Sequence, residues 1–89
     1  MKVVISVLGK DRVGIIARTS ACLAESNVNI LDISQTILDD YFVMIMLAEP
    51  LDERPDLSAL TARLEAIGAE LGVQITAQHE AVFTAMHRI

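Results

Sequence analysis

Gly9-Lys10-Asp11-Arg12-Val13-Gly14 is the segment of this 89-residue chain whose residue types and spacing best suit ligand chemistry. It leaves a β-branched run and opens a helical one, so unpaired backbone N–H groups gather there and favour an anion such as a carboxylate. Gly14 has no side chain and would let a ligand approach the backbone, while Asp11 would receive an ammonium group. The same residues also have a purely structural reading, in which Asp11 caps the helix and Gly14 lets it pack tightly on a sheet. Asn29 offers a donor and an acceptor on one amide, as a zwitterion requires. Ordinary turn capping is its alternative.

Other chemistries fit poorly. A P-loop needs Lys and then Ser/Thr after its second glycine, but Ile15 and Ile16 follow Gly14. A dinucleotide fingerprint fails on its glycine pattern. Cys22 has no nearby histidine to activate it and reads as packing or interface. His79 and His87 lack the cysteines or carboxylate pair that would complete a metal set, and read as surface or tail-packing residues. Asp39 and Asp40 read as a solvated turn, Met44 and Met46 as core. No catalytic residue, cofactor or metal is expected.

The elements that must position these residues follow from periodicity. Val3, Val4, Ile5, Val7 and Leu8 predict a strand over 2–8. With Asp11 as N-cap, Val13, Ile16, Ala17, Ser20, Leu23 and Ala24 form the stripe of a helix to about Ser26 that should face a sheet. Ile15, Thr19, Cys22 and Ser26 fall on the opposite side and suggest a second contact surface. Asn27 stops the helix, and alternation predicts a half-exposed strand over 29–37. The unbroken apolar run 42–48 predicts a strand buried on both faces. Leu57, Leu60, Leu64, Ile67 and Leu71, between Asp56 and Gly72, predict a second helix. Residues 73–78 alternate as a fourth strand. An amphipathic tail over 79–89 follows, with Val82, Phe83, Met86 and Ile89 apolar.

Strand, helix, strand, strand, helix, strand is the order of an α+β ferredoxin-like sandwich, a four-stranded antiparallel sheet with two helices on one face. The expectation is one domain over 1–89. Its residues are 53% hydrophobic and 3% aromatic. That is more aliphatic surface than one helix-covered sheet face needs, so the tail or a second copy should cover the rest, and a homodimer is expected. A net charge of -5 opposes nucleic-acid binding. The run before Gly9 is too short for a signal peptide or a membrane span, and the single cysteine suits a reducing compartment. A cytoplasmic location without membrane association is expected.

The series Gly9-Lys10-Asp11-Arg12-Val13-Gly14-Ile15, then helix, then Asn27-Val28-Asn29-Ile30, resembles the ACT domain over essentially the whole chain. The ending Phe83, Met86-His87-Arg88-Ile89 is similar to that of the stand-alone, single-domain ACT proteins of prokaryotes. The resemblance implies a regulatory module that binds an amino acid or related metabolite between two copies and signals to an enzyme or regulator. It implies ligand contacts from Gly9, Asp11, Val13, Gly14 and Ile15 of one subunit, with Asn29 and Ile30 reaching the ligand across the interface. Gly9 and Asp11 stand where some amino-acid-binding members carry His and Asn. The alternative is an architectural pairing module without ligand. An acylphosphatase, on a similar sandwich, lacks here the glycine-rich loop leading into a phosphate-holding arginine.

Overall fold

The β-branched residues after the amino terminus form β1 (Val3–Lys10), which lies inside a four-stranded antiparallel sheet between β3 (Tyr41–Pro50) and β4 (Val73–His79). β2 (Val28–Leu38) flanks β3, so the strand order is β2-β3-β1-β4 and β2 and β4 are the edges. In this computed structural model, residues 1–86 are described, Met86 by its backbone alone. Pairing sets Ile5 opposite Met46 and Ala77, and Val7 opposite Met44 and Ile75, so one face of the sheet is aliphatic across its width. α1 (Ile15–Glu25) and α2 (Leu57–Leu71) cover that face, and Leu23, Leu64, Ile5 and Met44 are fully buried between the layers. The ferredoxin-like expectation is met.

α2 has the cap and stop that its sequence specifies. Asp56 accepts a hydrogen bond from the Ala59 N–H at 3.0 Å, and Gly72 leaves the helix with φ 73. Gly68 lets α2 settle on β4, since an added Cβ would lie 2.6 Å from the Val73 carbonyl oxygen.

Three expectations are corrected. The buried stripe of α1 is Ile15, Thr19, Cys22 and Leu23, while Ile16, Ala17 and Ala24 are exposed. The helix is apolar on both sides, and Cys22 faces the core rather than a second surface. β3 is buried on the helix side only, through Phe42, Met44, Met46 and Ala48; Ile45 on the other face is exposed. Among the described residues the tail does not cover it: the short helix α3 (Glu80–Met86) packs on β1 and β4 and leaves β3 uncovered. His79 caps α3, its Nδ1 accepting from the Ala81 N–H. His87, Arg88 and Ile89 lie outside the described residues.

β2 departs from simple alternation. Its pairing with β3 slips between Ile30 and Asp32, so Leu31 is an extra residue and Ile30 and Ile33 both face the helix side. α1 reaches only part of this strand. Ile33 and Ile37 point to the helix side and remain exposed.

Candidate functional site

The loop after β1 sits at the sheet end that also holds the β2–β3 turn and the carboxyl end of α2. Gly9 and Lys10 still belong to β1, two residues beyond the strand expected from sequence. Gly9 admits the start of β4, since a Cβ there would lie 2.7 Å from the Val73 side chain. Asp11 is not the N-cap. Its backbone N–H donates to the Asp40 carbonyl at 3.1 Å, and its carboxylate has no hydrogen-bond partner among the described residues. Lys10 Nζ lies 3.5 Å from the Asp40 carboxylate, an exposed pair. Val13 is 98% exposed, and Ile15 turns inward to the core.

Gly14 occupies the N-cap position with φ 94. Its conformation, and not close packing on the sheet, is what calls for glycine: an added Cβ would meet only Arg18 Cγ, at 3.9 Å. No side chain caps α1, so its first N–H groups have no acceptor among the described residues. The loop thus presents free donors and a free carboxylate close together. This suits a small group bearing both charges.

Asn29 and Ile30 lie far from that loop. Gly9 pairs with Phe42 and Asn29 with Glu49, so seven steps along β3 separate them, roughly 23 Å at strand rise. Asn29 is exposed and paired inside β2, with no side-chain partner among the described residues; Ile30 is half-buried against the core. The turn-capping alternative falls to a different asparagine. Asn27 adopts φ 59 after α1, and its side chain donates to Asp52 at 3.0 Å.

Sequence reasoning missed Arg12, whose Nη1 donates to the Leu71 carbonyl at 3.1 Å. No local pattern could have found a partner that distant in the chain. It also missed the clefts. One of about 190 Å³ lies between the end of α1 and the start of α2, lined by Val28, Asp52, Asp56, Leu60 and Arg63 among others. None of the candidate ligand residues lines it. The helix–helix groove is bridged by Arg18–Glu70 and Arg63–Glu25, each at 2.7 Å. Hydrogen bonding from Arg18, and then its charge, lower the Glu70 carboxyl below its ordinary value.

Comparison with known proteins matches residues 2–78 to the ACT domain family. A UPF0237 protein of Methanocaldococcus jannaschii is 54% identical over 88 residues, covering 99% of this chain and 98% of its own. An ACT domain protein from Streptococcus pneumoniae is 46% identical, superposes with a TM-score of 0.82, and matches over 98% of each chain. The regulatory subunit of aspartate kinase from Thermus thermophilus, in its ligand-free form, has a TM-score of 0.66 at 22% identity. The match covers 86% of this chain and 50% of that one, and the likeness is one of fold.

Proposed function

The chain belongs to the ACT domain family, commonly ligand-binding regulatory modules, and from this we propose that it is a cytoplasmic sensor of an amino acid or related small metabolite. The ligand lies between two copies of the chain. Its carboxylate takes the free N–H groups at the start of α1, its ammonium group takes Asp11, and Asn29 closes the site from the other subunit. The observation that carries this reading is the separation of Asp11 and Asn29 by most of the sheet's length. No ligand the size of an amino acid spans it within one chain.

A two-fold pairing along the β2 edge supplies the missing geometry. β2 is an 11-residue edge strand with unpaired backbone groups. Beside it lies an exposed apolar surface made of Ile16, Ile33 and Ile37. An antiparallel copy set along this edge brings the Asn29 end of one chain toward the Asp11 end of the other. Burial of the same surface covers part of the aliphatic excess, while Leu8 and Ile45 on the open face of the sheet stay outside it.

Calorimetry over the common amino acids tests the proposal, with Asp11→Ala and Asn29→Ala each expected to weaken binding about tenfold or more without changing oligomeric state. Mixing the two variants is the sharper experiment, because each mixed dimer regains an intact site and binding returns. Mixed dimers as inactive as either parent would refute a shared site. A dimer that answers to no amino acid would favour the architectural reading, in which the same surfaces serve assembly alone.

A further inference from the structure

The loop carrying Asp11 is fastened to the rest of the fold at two places. One is the backbone bond from Asp11 to Asp40 in the β2–β3 turn. The other is Arg12, whose guanidinium crosses to the Leu71 carbonyl of α2. Leu71 is the last residue of that helix, where carbonyls have no N–H partner inside the helix and the dipole is negative. A cation with several donors fits that end well. Gly72, which follows with φ 73, ends the helix there and leaves the Leu71 carbonyl to Arg12.

We infer that Arg12 is a positioning residue for the ligand loop. It does not face the proposed ligand; it pins the segment between Lys10 and Gly14 onto the carboxyl end of α2. This fixes the direction of the Asp11 carboxylate on one side and of the first α1 amides on the other. Without the pin the stretch from Asp11 to Gly14 is held only by the Asp40 bond and by the buried Ile15 at its far end, and moves more freely between them, so the two charged contacts meet one ligand together less often. The inference rests on the reading that this loop holds an amino acid.

The test compares wild type, Arg12→Ala and Arg12→Lys as full chains, by amide hydrogen exchange and by calorimetry with single amino acids. In Arg12→Ala, exchange at residues 9–15 should rise about three- to tenfold, and affinity for whichever amino acid the wild type binds should fall by a similar factor. Exchange at Val7 and Met44 in the sheet centre should not change. Arg12→Lys retains a cation able to donate to the same carbonyl and should recover part of both effects. Wild-type affinity and loop exchange in Arg12→Ala would overturn the inference, as would faster exchange throughout the sheet, which would make Arg12 a support of the whole fold. A wild type that binds no amino acid would instead remove the ligand reading on which the inference stands.

Discussion

Ile37 and Phe42 are paired neighbours on the same face of the sheet, yet Phe42 is 3% exposed and Ile37 is 57% exposed. The helix layer ends between them. Ile37→Lys should therefore leave the folded monomer within about 0.5 kcal/mol of wild type, as surface changes do, while abolishing a dimer built on the β2 edge. Sedimentation velocity at micromolar concentration reads the outcome. A variant that sediments as wild type does would move the interface off this edge.

Thr19 is completely buried, and its hydroxyl has no hydrogen-bond partner among the described residues. Burying such a group costs free energy that a methyl of the same shape does not. Thr19→Val should stabilise the protein by about 1 kcal/mol, measured by urea denaturation. Destabilisation would mean that the hydroxyl finds a partner in solution.

Two glycines should respond differently to alanine. At Gly14 there is room for a methyl but φ is 94, so Gly14→Ala should cost about 1–2 kcal/mol in backbone strain alone. At Gly68 the methyl would strike the Val73 carbonyl, a backbone atom that cannot rotate away. Gly68→Ala should cost about 1–3 kcal/mol, and it should also loosen α2 on β4, visible as faster amide exchange in β4. Equal exchange in both variants would contradict this account of Gly68.

Glu70 accepts from both terminal nitrogens of Arg18, at 3.2 and 2.7 Å. A carboxyl lowered in the folded state contributes stability above its unfolded value, and loses that contribution as pH falls through the folded value. The raised Arg18 value lies beyond any working pH, so only the acid side is measurable. Glu70→Gln should be slightly less stable than wild type at neutral pH, and the difference should vanish on acidification. Both groups are exposed, so high salt should shrink it as well. Paired denaturation curves at neutral pH and at about pH 3 decide the matter.

α2 could be read almost whole from its sequence, because cap, leucine spacing and stop all agree: Asp56, the run from Leu57 to Leu71, and Gly72. α1 could not. It is apolar on two sides, so a stripe through Ile16 and Ala17 competes with one through Ile15 and Cys22, and only the packed sheet chooses between them. The bulge at Leu31 was hidden because Ile30 and Leu31 are both aliphatic and alternation tolerates either. Within the candidate site, the loop was legible as glycines around a charge. The position of Asn29 at the far end of the sheet depends on strand order, and Arg12 depends on a residue 59 positions away. Neither is a local property.

The distance from Asp11 to Asn29 has a thermodynamic corollary. A molecule that needs both side chains can be held only by paired chains, so every bound molecule draws monomers into dimers and every added monomer raises apparent affinity. Such a receptor gauges two concentrations at once, the metabolite's and its own. Near the dissociation constant of the dimer, a modest change in expression would retune the response as surely as a mutation in the pocket.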